Sequence, residues 1–339
     1  ENDNVVEIIP QNIGFREFKM DGNIMKINGK RIVFKGVNRH EFDCYHGRAI
    51  PESKIAHDLE IMKLHNINAV RTSHYPNNSK LYELCDIYGL YVIDETNLES
   101  HGTWQIRGTV RCDQNTVPND IPHWHDAVLD RAKSMLERDK NHASIIIWPC
   151  GNESYGGKNI FEMSEYSLKA DPSRLVHYES ICWDRVNEAS GKMVLAMPDE
   201  RRYDGTSDME SQMYTKVAQI KEFLSKYREK PFICCEYTHS MGNSNGGMHK
   251  YTDLTDEEPL YQGGFIWDFA DQAIWTRDLY GNDVMNYGGD FGDRPCDYNF
   301  SGNGIVFADH APTSKLQEVK FNYQNFTLVP SETGVKIIN

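Results

Sequence analysis

The stretch Ile145–Tyr155 reads IIIWPCGNESY, an apolar, β-branched run that stops at Gly151-Asn152-Glu153. A short apolar run bounded by Gly and polar residues is the signature of a strand buried on both faces, and the residues after it form a loop at its carboxyl end. In parallel α/β folds that rim is where ligands bind, which makes Glu153 a candidate catalytic carboxylate rather than one more solvated Glu.

The pattern recurs 83 residues later in Pro231–Gly242, PFICCEYTHSMG, where Phe232–Cys235 form a second buried strand and Glu236 follows. Two carboxylates at the ends of two buried strands suit glycosidic bond cleavage: one protonates the leaving oxygen, the other attacks or activates water. A separation of ~5 to 5.5 Å makes the reaction retaining, and ~6.5 to 9.5 Å makes it inverting.

The chain has 339 residues, enough for one large α/β domain, with 39% hydrophobic and 25% charged residues, which excludes wholesale disorder. A net charge of −14 argues against a nucleic-acid partner and favours a neutral or cationic ligand or a metal. No run approaches 18 apolar residues, so no membrane partner is expected, and there is no basic segment followed by an apolar one of the kind that directs secretion. The first residue is Glu1 rather than Met, which suggests a piece of a longer chain. The eight cysteines lack the spacing of a disulfide framework or of a CxxC zinc site; free thiols and a cytoplasmic location follow.

Residues 1–18 are weakly patterned and read as a linker or remnant of a preceding domain. Met20–Gly36 reads as a hairpin with an Asn28-Gly29 turn leading into the first core strand at Ile32. Strand and helix then alternate: strands at Ile67–Arg71, Leu90–Asp94, the run before Glu153, Leu175–Tyr178, Met209–Tyr214, the run before Glu236, and Gly264–Phe269. Helices fall at Ser53–His65, Lys80–Tyr88, Asp126–Arg138, Ile160–Lys169 and Val217–Tyr227. Eight parallel strands joined by right-handed crossovers predict an α/β fold, the (β/α)8 TIM barrel, over residues 19–326. Residues 327–339 read as the start of a following β segment or a tail. A doubly wound sheet is disfavoured because no GxGxxG follows any strand.

The strand ends share a chemistry. Asn38-Arg39-His40-Glu41, Arg71-Thr72-Ser73-His74-Tyr75, Asp94-Glu95-Thr96-Asn97-Leu98-Glu99-Ser100-His101 and Trp267-Asp268 place polar and aromatic side chains on one rim. Glu99 and His101, two apart in an extended loop, project the same way and suit a divalent ion. Trp267 suits stacking on the apolar face of a sugar, although a buried Trp with a wet N–H is the commoner case.

The segments GVNRHEF, NAVRTSHYP, CDIYGLYVIDETNLESHG, WPCGNES, CCEYTHSMGNSNGG, QGGFIWDFADQ, NYGGDFGD and NGIVFAD, spread from about Gly14 to Phe326, together resemble the catalytic barrel of the glycoside hydrolase family 2 β-galactosidases. The resemblance implies retaining hydrolysis of terminal β-D-galactosides, lactose-like substrates, by double displacement, with Glu153 as acid/base and Glu236 as nucleophile. It implies sugar contacts from His40, His74, Asn152 and His239, a hydrogen bond to the nucleophile from Tyr214, and an aromatic floor from Trp267. It also implies Mg2+ on Glu99, His101 and Glu153, and Na+ on Asn303 and the Phe300 carbonyl.

Members of that family carry further β domains that complete the sugar pocket, so the partners implied are other domains of a full-length chain or a small subunit, within an oligomer. The barrel alone is then expected to fold with little activity. The loop between His101 and Asp126, and residues 186–208, look like insertions that could reshape the aglycone side. The alternatives are a sister activity, β-glucuronidase or β-mannosidase, disfavoured by the lack of a cationic cluster for a substrate carboxylate, and a non-catalytic sugar-binding subunit, disfavoured by the presence of both Glu153 and Glu236.

Overall fold

A computed structural model describes residues 5–106, 109–110, 113–182 and 203–338. The proposed insertion at 186–208 therefore lies outside the described residues up to position 202, as do Cys112 and the side chain of Cys182.

The chain enters through a small antiparallel sheet of β1 (Phe18–Asp21), β2 (Ile24–Ile27) and β3 (Lys30–Arg31). Its second turn holds Asn28 and Gly29 at positive φ (49° and 77°), the left-handed pair that a two-residue hairpin demands. Phe18 and Met25 from this sheet, and Ile32 just after it, pack with Met209 and with Phe34, Ala69, Ile93, Ile146, Ile147, Ile233 and Phe265 from the barrel strands. These strand residues fill the interior, and the sheet closes the end of the barrel opposite the candidate site. The Gln262 side chain ties the two together, accepting from Met25 N at 2.8 Å and donating to Ile32 O at 2.7 Å. Burial of Met25 alone stabilises by roughly 1.5–3 kcal/mol.

The barrel follows as β4 (Phe34–Asn38), α1 (Glu52–Leu64), β5 (Ala69–Arg71), α2 (Ser79–Tyr88), β6 (Tyr91–Ile93), a loop with the short pair β7 (Gln105–Ile106) and β8 (Thr109–Val110), α3 (His125–Asp139), β9 (Ile145–Pro149), α4 (Lys158–Ala170), β10 (Leu175–His177), β11 (Glu210–Met213), α5 (Val217–Lys226), β12 (Phe232–Tyr237), α6 (His249–Glu257) and β13 (Tyr261–Ile266). Hairpin β14 (Ile274–Arg277) and β15 (Asp283–Asn286), helix α7 (Lys315–Asn322), and hairpin β16 (Thr327–Ser331) and β17 (Gly334–Ile338) complete it. Helix boundaries obey local chemistry. Asn78 caps α2 by accepting from Lys80 N at 2.9 Å, and Gly89 at φ 70° ends it.

Eight parallel strands pair in the order β10-β9-β6-β5-β4-β13-β12-β11, a barrel that is open as a ladder only between β10 and β11. Asp208 bridges that seam: its N–H donates to Val176 O at 2.9 Å, and its Oδ2 accepts from Val176 N at 2.7 Å. His177 Nε2 meets Ser211 Oγ at 2.7 Å across the same gap. Asp208→Ala is expected to lower stability by about 1–3 kcal/mol, since it strands a Val176 N–H, and Asp208→Asn by less; urea unfolding midpoints measure both.

The barrel expected from the pattern is the fold observed, with local differences. Ile32 belongs to the lower plug, and the first barrel strand starts at Phe34. The last strand begins at Tyr261 rather than Gly264, because Gly263 is a strand residue and not a breaker, and it ends at Ile266 rather than Phe269. Gly263, at φ 91°, leaves no room for a side chain, since a Cβ there would lie 2.2 Å from Phe34 O. Helices α6 and α7 carry too few apolar residues to announce themselves: α6 buries Leu254, and α7 buries Leu316 and Val319.

Candidate active site

The carboxyl-end rim is organised by one cation, Arg71, fully buried at the end of β5. Its Nε and Nη2 reach Glu95 Oε2 and Oε1 at 2.6 and 3.1 Å. Nη1 reaches Glu236 Oε1 and Asn38 Oδ1, both at 2.9 Å, and Nη2 reaches Asn152 Oδ1 at 2.9 Å. One planar fork thus joins residues of five barrel strands and their ends, geometry that Lys cannot supply.

Glu236 lies inside β12 rather than beyond it, with Tyr237 continuing the strand. Its second oxygen, Oε2, accepts from Tyr214 OH at 2.6 Å, and His74 Nε2 is 3.8 Å from Oε1. Burial pushes the Glu236 carboxyl up from its ordinary range, and Arg71 and Tyr214, one donor on each oxygen, pull it back toward the charged form. Tyr214 follows β11 at φ 53°, and burial together with the Glu236 charge keeps it a phenol.

Glu153 follows β9 at φ 38°. Its N–H donates to Glu179 Oε1 at 2.8 Å, its carbonyl accepts from Trp104 Nε1 at 2.7 Å, and its Oε2 is hydrogen-bonded to His101 Nδ1. Glu99 completes a trio with Glu153 and His101 whose ligand atoms all lie within 4.8 Å of one another. The Glu99 carboxyl is pushed up to about 7, first by burial and then by the charges of Glu153 and Glu95. Two crowded carboxylates and an imidazole are a donor set that suits Mg2+.

The sugar-contact candidates line the same rim. Trp267 stacks on His74 (ring centroids 5.2 Å apart, planes at 10°), and His40 meets both edge-on at 5.4 and 5.6 Å. His74 Nδ1 is held by Glu95 at 2.7 Å and His40 Nδ1 by Tyr75 OH at 3.1 Å. Both imidazoles are kept neutral by burial, His40 being driven down to about 3 with help from the neighbouring His74 and Arg48. His239 sits between Tyr214 and Phe300, with ring centroids 5.6 and 5.8 Å away. Asn303 is buried, and its Oδ1, like Oδ1 of Asp268, has no hydrogen-bond donor among the described residues. Two such orphaned oxygens suit a monovalent cation.

Sequence reasoning gave no role to Arg71, Glu95, Glu179 or Trp104. The first three are ionisable groups buried inside the protein, whose signal in the sequence is only their place at strand ends; Trp104 lies in the insertion-like loop after His101.

Residues 18–328 match the family described as glycosyl hydrolases family 2, TIM barrel domain. The chain belongs to glycosyl hydrolase family 2. Family members similar to it include a β-galactosidase of Halalkalibacterium halodurans, 56% identical over 339 residues covering 100% of this chain and 32% of that protein. A β-galactosidase of Clostridium acetobutylicum is 55% identical, covering 99% of this chain and 36% of that protein. A β-galactosidase large subunit of Lactobacillus helveticus is 47% identical, covering 95% and 49%. The chain thus spans about a third to a half of the length of these relatives. Among solved structures, a β-glucuronidase of Ruminococcus gnavus superposes with a TM-score of 0.72 at 19% identity, covering 96% of this chain and 56% of that one, which shows the shared fold. No described helix is long and apolar enough to cross a membrane.

Proposed function

We propose that this chain is the catalytic barrel of a retaining β-galactosidase. The observation that carries the reading is the Arg71 fork, which holds Glu236 with one nitrogen and the neighbour of Glu153 with another, so that two carboxylates distant in sequence serve one rim. The named activity of relatives 47–56% identical supports galactoside as the substrate.

In the first step Glu236 attacks the anomeric carbon, the bond to the aglycone breaks, and its electron pair takes the proton of Glu153. In the second, water attacks the same carbon, Glu153 takes the water proton, and Glu236 departs; two inversions restore the β configuration. Arg71 and Tyr214 each donate to one Glu236 oxygen, which favours the charged form against the cost of burial and aims the nucleophile before substrate arrives. Trp267 and His74 supply a flat wall, and neutral His40 and His74 offer hydrogen bonds to hydroxyls without competing for the proton.

Glu99, His101 and Glu153 would hold Mg2+, which would supply a fixed positive charge beside the acid/base. Asn303, with the Phe300 carbonyl, would hold Na+. Chelator treatment is expected to reduce turnover, with Mg2+ restoring it. Glu99→Ala is expected to raise the Mg2+ concentration needed by at least ~10-fold, read from activation curves and calorimetric titration.

Further domains or a small subunit complete the enzyme in this reading. Exposed Leu279, Tyr280, Phe291 and Tyr298 after β13 are the apolar surface such parts would cover. Comparing aryl β-galactoside and β-glucuronide hydrolysis by the intact enzyme tests the substrate class: a preference for the glucuronide would assign the sister activity.

A further inference from the structure

Glu153 is a non-glycine residue in the left-handed region, a conformation that persists only when its surroundings impose it. Three contacts do so. Glu179 Oε1 accepts the Glu153 N–H at 2.8 Å, Tyr178 OH accepts the next amide, Ser154 N–H, at 3.0 Å, and Trp104 donates to the Glu153 carbonyl at 2.7 Å. Consecutive residues beyond β10 therefore grip consecutive amides beyond β9.

Glu179 is buried, its Oε1 also accepts from Ser180 Oγ at 2.7 Å, and its Oε2 has no hydrogen-bond partner among the described residues. A buried carboxylate with one free oxygen is costly, and a backbone amide alone does not require it. His177, Glu179 and Cys235 have ligand atoms within 4.8 Å of one another, but all three are buried and face the positive charge of Arg71, which opposes a metal cation there.

We propose that Glu179 is a positioning residue for proton transfer: it clamps the Glu153 amide in the left-handed turn and so directs the Glu153 carboxyl at the leaving-group oxygen. This rests on the reading of Glu153 as acid/base. A misdirected acid harms substrates in proportion to their need for a proton, whereas a partly unfolded enzyme loses all substrates equally.

The test is kcat/KM of the intact enzyme on methyl β-galactoside, whose leaving group needs protonation, and on 2,4-dinitrophenyl β-galactoside, whose leaving group does not. Active sites are counted by covalent labelling with a 2-fluoro galactoside. Glu179→Leu, similar in volume but lacking an acceptor, is expected to lose ~100-fold on the methyl glycoside and under ~5-fold on the aryl one, the scale of a 1 Å misplacement. Glu179→Gln keeps an acceptor oxygen and is expected to stay within about 5-fold of wild type on both. Equal losses on the two substrates, or Gln as impaired as Leu, would overturn the proposal. If the Leu variant does not fold, Glu179→Asp, which withdraws the carboxylate by one methylene, takes its place with the same outcomes. Glu153→Ala is the control: if it too shows no leaving-group dependence, the acid/base reading fails instead.

Discussion

Glu236→Gln is expected to lower kcat on an aryl β-galactoside by on the order of 10⁵-fold, the size of loss seen when a nucleophile is removed from an otherwise intact site. Gln keeps the volume and one acceptor oxygen, so Arg71 retains a partner there and keeps its bidentate pairing with Glu95. The fold should survive, and the melting temperature gives a second, independent result. Burial raises the Glu236 carboxyl above its unfolded value of 4.5, so the native state binds its proton more tightly than the unfolded chain does. Its contribution is nil below that pH and becomes destabilising as pH rises through and beyond it. The Gln variant should therefore melt at the wild-type temperature near pH 4 and above it at pH 8. Incubation with a 2-fluoro galactoside should label Glu236 in the wild-type enzyme; a label on another carboxylate would reassign the nucleophile.

Arg71→Ala should be the most destabilising single change at the rim. It leaves Glu95 and Glu236 buried without their cation, a circumstance that costs about 3–5 kcal/mol, or roughly 4–7 °C in melting temperature for a domain of this size. Acidification should restore part of the loss, because protonated carboxyls no longer need the guanidinium; differential scanning calorimetry between pH 4 and 8 measures this. Arg71→Lys separates charge from geometry. An ammonium on a flexible stem cannot reach Glu95, Glu236, Asn38 and Asn152 at once, so stability should recover in part while kcat/KM stays ~10²-fold or more below wild type. Full activity in the Lys variant would mean that charge alone, not the planar fork, prepares Glu236.

Much of this architecture is legible in one dimension because its causes are local. Ile145–Pro149 and Phe232–Tyr237 are strands because runs of β-branched and apolar residues bury both faces, and Glu153 and Glu236 stand out as carboxylates beyond and near the carboxyl end of such runs. Glycine misleads where its reason is remote: Gly263 looks like a break but is a strand residue crowded by Phe34 from β4. The insertion-like loop after His101 supplies Trp104, whose indole fixes the Glu153 carbonyl, a role that no spacing announces.

The sequence by itself determined the alternation of strand and helix, hence the barrel, and which rim gathers the ionisable side chains, because period and burial are properties of neighbouring residues. Only the tertiary structure decided what those side chains do to one another. Arg71 reads as an ordinary charge until β4, β5, β6, β9 and β12 converge on it, and Glu179 until β10 lies beside β9. An ion pair or a clamped amide depends on distances across the barrel, and those exist only once the hydrophobic core has brought the strands together.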